Sequence, residues 1–157
     1  ARKKALGYAA QSGLWTIADD SGLMVDALNG APGVHSARFS GSKPDSAGRS
    51  LIDHRNIEKV LDLMKGVEEA DRTARFVCSL CLASPGRVLL EKEGVLEGAI
   101  TTEKRGAGGF GYDPVFFVPE LGRTAAELSP EQKNLVSHRG RAVMRLRPLL
   151  AELCESN

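Results

Sequence analysis

The sequence predicts an α/β fold, and two observations support this prediction. Segments with the apolar repeat of amphipathic helices alternate along the chain with short apolar runs that are typical of buried strands. The length of 157 residues fits one domain with a substantial hydrophobic core. We therefore expect residues 1–157 to form a single α/β domain.

The first helix is predicted over residues 1–13. Ala5, Ala9 and Ala10 share one side of this helix, and Gly13 is a stop signal at its end. No capping residue precedes the helix, and from this we expect that an N-terminal piece of the domain is missing.

The next segments predict two strands and a long loop. The run "LWTIA" at residues 14–18 is typical of a buried strand, and it leads into "DDSG", where we expect a loop at the strand's carboxyl end. The run "LMVDAL" at residues 23–28 predicts a second strand. Residues 29–48 are rich in Gly, Ser and Pro, which predicts a surface loop.

The rest of the chain predicts a helix, a hairpin, a short strand and two further helices. An amphipathic stripe indicates a helix from about Ala47 to Lys65, which Gly66 ends. The later elements are a strand at 73–83, a turn at 84–87, an extended region at 88–100 interrupted by Gly94 and Gly98, a strand at 115–118, a helix begun by the capping box of Ser129 and Gln132, and a helix capped by Ser137.

Composition argues against several classes of function. Hydrophobic residues make up 42% of the chain and charged residues 26%, which is ordinary for a globular protein. Lys and Arg number 21 against 20 for Asp and Glu, so no positive field favours a nucleic acid polymer. No apolar run approaches the roughly 20 residues that cross a bilayer. We expect a cytoplasmic protein with no membrane partner.

The cysteines are not expected to bind metal. Cys78 and Cys81 form a C-x-x-C motif, but both fall in the predicted strand at 73–83. Residues three apart on a strand face opposite ways, so we expect two buried core cysteines and no zinc or redox pair. The total of three cysteines, an odd number, favours reduced thiols.

Residues 105–118, "RGAGGFGYDPVFFV", match the spacing of a dinucleotide-binding turn through Gly106, Gly108 and Gly111. That fingerprint needs a helix to begin at its last glycine, so that backbone N–H groups lie beneath a pyrophosphate. Pro114 and the aromatic segment after it exclude such a helix. The sequence also has no G-K-[ST] of a phosphate loop.

The same glycine-rich stretch carries two aromatic side chains, Phe110 and Tyr112. Its flexible backbone can approach a flat ligand closely, and a ring can stack on that ligand. A glycine-rich hairpin whose aromatic side chains cover the core explains the same residues. This stretch alone leaves both interpretations open.

The stretch "IADDSGL" places Asp19 and Asp20 side by side, followed by Ser21 and Gly22. Neighbouring carboxylates repel each other unless a cation or a water-filled cleft compensates. Mg²⁺ is the natural candidate, because one or two carboxylates hold it together with substrate phosphates. An ordinary Asx turn explains the same four letters.

Lys133, Ser137, His138 and Arg139 form a third polar group. Lys133 supplies a point charge for a phosphate or a sugar, and Arg139 supplies a rigid fork of donors. If Ser137 caps a helix, the first N–H groups of that helix also point outward as an anion or carbonyl site. A solvated basic face is the alternative interpretation.

Four separated motifs, in the same order, resemble the inosine triphosphate pyrophosphatase family, also called the XTP/dITP diphosphatases. The likeness covers essentially the whole chain, and four motifs in register are far more specific than any one of them. The motifs are "IADDSGLMVDALNGAPGVHSARFSG", "GGFGYDPVFFVP", "TAAELSPEQKN" and "SHRGRA".

The resemblance implies an enzyme that uses Mg²⁺ to hydrolyse purine nucleoside triphosphates such as ITP, dITP and XTP. The products would be the monophosphate and pyrophosphate, and the purpose would be cleansing of the nucleotide pool. The resemblance also implies a mixed, elongated central sheet flanked by helices, two lobes with a cleft, and a homodimer. Two alternatives remain: a non-catalytic nucleotide-binding module, and a related pyrophosphatase for pyrimidine or modified nucleotides.

The family pattern, matched position by position, implies roles for individual residues. Asp20 matches the metal-binding carboxylate and proposed proton acceptor. The substrate-binding positions are Lys4, Ser21, Phe110, Gly111, Tyr112, Asp113, Lys133, His138 and Arg139. Family members begin with a strand and a [ST]-x-N-x-x-K loop that this sequence lacks, so we expect an N-terminally incomplete pyrophosphatase domain.

Overall fold

The computed structural model of the chain describes residues 1–41 and 48–155. In these ranges it has α1 (Arg2–Ser12), β1 (Thr16–Val25), α2 (Gly48–Leu63), β2 (Thr73–Ser84), β3 (Arg87–Ile100), β4 (Phe116–Val118), β5 (Arg123–Thr124), α3 (Pro130–Val136) and α4 (His138–Glu155). Short 3-10 helices connect several of them. The strands form one sheet in the order β1-β2-β3-β4-β5, which confirms the α/β prediction. Residues 42–47 of the predicted loop, including the predicted helix start Ala47, lie outside the described residues.

The chain divides into two compact units. Unit 1 consists of Ala1–Ser21, Val77–Leu96 and Asn134–Asn157, and unit 2 consists of Gly22–Phe76 and Glu97–Lys133. Strands β1, β2 and β3 each contribute residues to both units. In the described part of the chain, no helix is long and apolar enough to span a bilayer.

In unit 1, alternate residues of β2 face two different helices. One buried cluster joins Cys81 and Ala83 of β2 to Ala5 and Ala9 of α1, and the other joins Cys78 and Leu80 of β2 to Ala142 and Leu146 of α4. The period of two along a strand places these two sets on opposite faces. Cys78 and Cys81 are buried and free, as the sequence predicted.

Strand β3 is continuous, whereas the sequence predicted an extended region interrupted by two glycines. A Cβ added at Gly94 would overlap the carbonyl oxygen of His138 and the backbone of Ala142. A Cβ at Gly98 would likewise overlap the carbonyl oxygen of Phe117. Both glycines therefore allow close packing and do not break the strand.

Strand β1 also corrects a prediction, because it runs unbroken through "DDSG". A Cβ at Gly22 would come within 2.5 Å of the Gly33 carbonyl oxygen, so the strand packs tightly here. The N–H of Leu23 donates to Ser36 Oγ at 2.8 Å in a buried hydrogen bond. These tertiary contacts override the local turn preference of Asp, Ser and Gly. The predicted second strand is therefore the end of β1, and a 3-10 helix follows over Asp26–Leu28.

Unit 2 contains the pairing of the end of β3 with β4 and the pairing of β4 with β5. Strand β3 pairs antiparallel with β4 through Ala99 and Phe117, and β4 pairs antiparallel with β5 through Phe117 and Thr124. The fully buried Phe116 ring lies 4.3 Å, centroid to centroid, from the ring of Phe76. This aromatic contact anchors β4, which forms the end of the glycine-rich stretch at residues 105–118.

A buried arginine holds the segment after α2 against the end of β3. Arg72 is 4% exposed, and its guanidinium donates to the carbonyl oxygens of Met64, Ile100 and Thr101 at 2.7 to 2.8 Å. Burial lowers the pKa of this guanidinium from its ordinary value, and the carbonyl oxygens satisfy its N–H groups.

The helix ends confirm the capping signals of the sequence. Gly13 ends α1 with a φ of 71°. The Ser129 N–H donates to Gln132 Oε1 at 3.0 Å, and the Gln132 N–H donates to Ser129 Oγ at 3.2 Å, which is the reciprocal capping box before α3. Ser137 Oγ accepts the Gly140 N–H at 3.0 Å at the start of α4.

Candidate active site

In unit 1, strand β1 carries the two adjacent carboxylates. Because successive side chains of a strand face opposite ways, Asp19 and Ser21 share one face and Asp20 lies on the other. The sequence had suggested a loop, with either a cation or a water-filled cleft to offset the repulsion of the two carboxylates, or an ordinary Asx turn. Instead, each carboxylate has its own basic partner, Arg139 for Asp19 and Lys4 for Asp20.

Lys4 of α1 contacts Asp20 directly. Its Nζ lies 2.7 Å from Asp20 Oδ1 and 3.2 Å from the backbone oxygen of Asp19. The side chains of Lys4 and Asp20 are 53% and 47% exposed, and an ion pair with this exposure stabilises a protein by at most about 1 kcal/mol. The pair therefore opens at little cost when a charged ligand competes for either group.

Asp19 is engaged by the first turn of α4. Arg139 Nε donates to Asp19 Oδ2 at 3.0 Å, and Ser21 Oγ lies 3.5 Å from the same oxygen. Behind this face, burial raises the pKa of the Cys78 thiol, while a hydrogen bond with Ser21 acts in the opposite direction. Cys78 is a buried residue of the core cluster that includes Ala142 and Leu146.

His138 begins α4 and is 8% exposed. Its carbonyl oxygen packs against the backbone of Gly94 in β3. The predicted role of His138 as a substrate contact remains a prediction.

The oxygen ligand that Asp20 offers on β1 is of the kind that binds a metal ion together with substrate phosphates. Among the described residues, no group of three or more His, Cys, Asp and Glu side chains is placed to hold a metal. Asp20 offers one half-exposed carboxylate. Mg²⁺ is commonly bound by one or two carboxylates together with substrate phosphates, so this single carboxylate suits it without a preformed protein cage.

In unit 2, the backbone of the glycine-rich stretch donates to protein acceptors. The N–H groups of Gly108, Phe110 and Gly111 donate to Ala126 O, Asp113 Oδ2 and Asp53 Oδ2 respectively, at 2.7 to 3.1 Å. No helix begins at Gly111, and a three-residue 3-10 helix and β4 follow instead. The rejection of a dinucleotide fingerprint is therefore confirmed.

Residues 106–112, which we term the glycine loop, present the ring of Phe110. This side chain is 52% exposed, and Lys133 Nζ lies 4.8 Å from its ring centroid. The Lys133 ammonium also pairs with the carboxylate of Asp113, which is 4% exposed. The ammonium of Lys133 thus lies over the Phe110 ring, and its positive charge is already engaged by the carboxylate of Asp113.

Tyr112 differs from Phe110, because it belongs to the core. It is 4% exposed, and its hydroxyl donates to the Ser36 carbonyl oxygen at 2.8 Å. Burial, with a smaller effect from the negative charge of Asp53, raises the pKa of the Tyr112 phenol. Of the two aromatic residues that the sequence singled out, one presents a ring to solvent and the other covers the core.

Three polar residues that organise this loop were missed from the sequence. They are Asp53, which accepts the Gly111 N–H, Asn56, whose Nδ2 donates to Ser36 O at 3.2 Å, and Ser36 itself. Asp53 and Asn56 lie on α2, far from the loop in sequence. The one available signal was Asn56, a polar residue next to the apolar stripe of an amphipathic helix.

The fold and the site define an α/β protein with two adjacent carboxylates on β1 and a glycine loop that presents an exposed aromatic ring. The family model described as the Ham1 family matches residues 1–149, and the chain belongs to that family.

Individual relatives agree with this assignment. A dITP/XTP pyrophosphatase of Gloeobacter violaceus is 52% identical over 146 residues, which are 93% of this chain and 69% of that protein. A dITP/XTP pyrophosphatase of Desulforamulus reducens is 49% identical over 151 residues, 96% of this chain and 72% of that protein. Among solved structures, a HAM1 protein from Coxiella burnetii matches with a TM-score of 0.84 at 44% identity, covering 96% of this chain and 74% of that one.

Proposed function

We propose that this chain is a nucleoside triphosphate pyrophosphatase that hydrolyses dITP, ITP and XTP to the monophosphate and pyrophosphate. Two relatives that bear the name dITP/XTP pyrophosphatase share about half of its residues over more than nine-tenths of its length. The structural observation that supports the proposal is the exposed contact of 2.7 Å between Lys4 and Asp20, which places a carboxylate beside an ammonium group that would bind phosphate.

Asp20 is the proposed catalytic residue. Hydrolysis between the α- and β-phosphates needs a water aimed at the α-phosphorus and an acceptor for its proton. A half-exposed carboxylate is reachable by that water, and Lys4 is close enough to neutralise phosphate oxygens beside it. On the other face of β1, Asp19 holds Arg139 and lies beside the proposed substrate contact Ser21.

We propose Mg²⁺ as the metal, with Asp20 as its protein ligand. When bound, the ion would neutralise charge on the phosphate oxygens. The half-exposed carboxylate of Asp20 supports this choice, because it is an oxygen ligand that solvent reaches and that would bind an ion already coordinated by phosphate.

The glycine loop is proposed to bind the base and sugar. Phe110 would stack on the purine, Gly111 and Lys133 would contact the nucleotide, and the buried Tyr112 and Asp113 would keep the loop in shape.

Selectivity for hypoxanthine and xanthine nucleotides over adenine nucleotides would come from the group at position six of the purine ring. Hypoxanthine and xanthine carry a carbonyl there, which accepts hydrogen bonds from donors such as Arg139 and His138. Adenine carries an amino group, whose hydrogens would lack acceptors, and unpaired groups of this kind discriminate by up to about 10⁴-fold.

We also propose a cytoplasmic homodimer. The dimer rests on the family resemblance alone, and the cytoplasmic location is supported by the free thiols of Cys78, Cys81 and Cys154. Light scattering of the purified protein tests the dimer, for which the expected mass is twice that of one chain.

The decisive experiment for the function identifies products. The purified protein is incubated with Mg²⁺ and, separately, with dITP, ITP, XTP, ATP, dTTP and UTP, and the products are separated by ion-exchange chromatography. The proposal expects monophosphate and pyrophosphate from the first three and little product from ATP. Preference for dTTP or UTP would indicate the related pyrophosphatase, and binding of dITP without any product would indicate a non-catalytic nucleotide-binding module.

A further inference from the structure

We propose that Asp53 of α2 is a positioning residue that holds the glycine loop in its binding conformation. Its effect on nucleotide binding rests on the function proposed above, whereas its effect on the loop does not. Asp53 does not belong to the proposed substrate contacts, and it acts through Gly111.

The first observation is a hydrogen bond across 58 positions of the chain. The Gly111 N–H donates to Asp53 Oδ2 at 2.9 Å, in a partly buried position. Gly111 has a φ of 58°, in the left-handed region, and a single charge-assisted hydrogen bond fixes the orientation of its peptide group. This N–H belongs to the peptide group that joins Phe110 to Gly111, so the same contact limits where the exposed ring of Phe110 points.

The second observation is that α2 also holds the other end of the loop. Lys104, two residues before the loop, lies 2.5 Å from Glu58 Oε1 and 2.9 Å from His54 Nδ1. The hydrogen bond from Lys104 lowers the pKa of the Glu58 carboxyl. Contacts from one helix therefore bracket the loop between residues 104 and 111.

The third observation concerns the residue after Gly111. The Tyr112 hydroxyl and Asn56 Nδ2 both donate to the Ser36 carbonyl oxygen. Asn56 is one turn beyond Asp53 on α2, so the helix and the loop are joined through a shared acceptor as well as directly. The carboxylate of Asp53 is also close enough to the phenol to raise its pKa.

These contacts determine what happens when Asp53 is removed. Gly106, Gly109 and Gly111 all have positive φ, so the loop has large conformational freedom once an anchor is lost. Ordering a loop on binding opposes affinity. The Michaelis constant should therefore rise, while the turnover number, which depends on the phosphate chemistry, should change little.

The test compares Asp53→Ala with Asp53→Asn and a matched control, Asp62→Ala, on the same helix. Asp62 is exposed and pairs with Lys65 at 2.8 Å, and its carboxylate takes part in none of the hydrogen bonds to the loop described above. With dITP as substrate, Asp53→Ala should raise the Michaelis constant about tenfold, the value expected for one charge-assisted hydrogen bond, with the turnover number within about twofold. Asp53→Asn keeps an oxygen acceptor and should recover most of the loss, and Asp62→Ala should match the wild type.

Hydrogen exchange gives a readout that is independent of activity. Peptides covering residues 106–113 should exchange faster in Asp53→Ala than in the wild type or in Asp62→Ala, while peptides of β2 stay unchanged. If Asp53→Ala does not fold, Asp53→Ser takes its place in both measurements. A wild-type Michaelis constant combined with unchanged exchange in the loop would overturn the proposal. Absence of dITP hydrolysis by the wild type would instead overturn the proposed function, and exchange would still decide the role of Asp53.

Discussion

Lys4 Nζ lies 2.7 Å from Asp20 Oδ1, so a helix and a strand of the same unit hold a cation and a carboxylate in contact at the surface. A buried pair of this kind would be a structural element that is costly to separate. Here both side chains are about half exposed, and the pair contributes little to stability. The pair is therefore not needed for folding, and both groups are accessible for the roles proposed for them.

The first prediction follows from this contact. Lys4→Ala should raise the Michaelis constant for dITP about tenfold, because a charge-assisted contact with a phosphate would be lost. The thermal midpoint should stay within a few degrees of the wild type. Steady-state kinetics and calorimetry measure both quantities. Lys3→Ala, which removes an exposed neighbouring lysine, is the matched control and should behave as the wild type.

Phe110→Ala should also weaken substrate binding. Alanine substitution at a base-stacking aromatic residue costs about 1–3 kcal/mol per base, so the Michaelis constant should rise about tenfold or more. Because the ring is 52% exposed, its removal should leave the free energy of unfolding nearly unchanged. Val34→Ala truncates another exposed apolar residue and serves as control. An unchanged Michaelis constant for Phe110→Ala would contradict the stacking role.

The two aromatic residues of the loop show how far the sequence could predict the site. Spacing and composition singled out Phe110 and Tyr112 equally, but only three-dimensional contacts separate a ring held over Lys133 from a hydroxyl bound to Ser36. Asp53 could not be predicted, because its role depends on a contact with Gly111 at a separation of 58 residues.

For the strands and helices too, the sequence predicted the features that depend on neighbouring residues and not those that depend on contacts between distant segments. Apolar alternation predicted β2, and capping chemistry predicted the start of α3, because both are local signals. The prediction was wrong at Gly22, where a loop was expected, and at Gly94, where an interruption of the strand was expected. At both positions a close backbone approach requires the absence of a side chain, and no local pattern distinguishes this from a turn.

A pair of glycine substitutions tests the geometry of the loop. Gly109 has a φ of 75°, and a Cβ there would overlap Asp113 Oδ2, so Gly109→Ala should lower the free energy of unfolding by at least about 1 kcal/mol. Gly7 lies in α1 with open space around its Cα, so Gly7→Ala should raise the same quantity by about 0.5–1 kcal/mol. Urea unfolding measures both. Equal effects of the two substitutions would contradict the described backbone.

Glu127 provides a prediction about pH. The Thr124 N–H donates to Glu127 Oε2 at 2.7 Å, and this hydrogen bond is the largest of the effects that lower the pKa of the carboxyl below its ordinary value. A group with a lowered pKa in the folded state contributes stability above its unfolded pKa, and this contribution is lost as pH falls through the folded value.

Between about pH 6 and about pH 3, the wild type should therefore lose more stability than Glu127→Gln, which cannot ionise. The measurement is the free energy of unfolding in urea at each pH. Parallel pH profiles for the two proteins would show that the capping carboxylate has no such role. The effect matters for the site, because the backbone oxygen of Ala126, in the turn that Glu127 caps, accepts the Gly108 N–H of the glycine loop.

The most direct test of the central claim is the turnover number of Asp20→Asn with saturating dITP and Mg²⁺. Asparagine keeps the shape of the side chain but can neither accept the proton of water nor carry the negative charge, so turnover should fall at least about 100-fold. Asp62→Asn, an exposed carboxamide substitution on α2, should retain wild-type turnover. Pyrophosphate release at a near-normal rate by a folded Asp20→Asn protein would remove Asp20 from the mechanism and contradict the account.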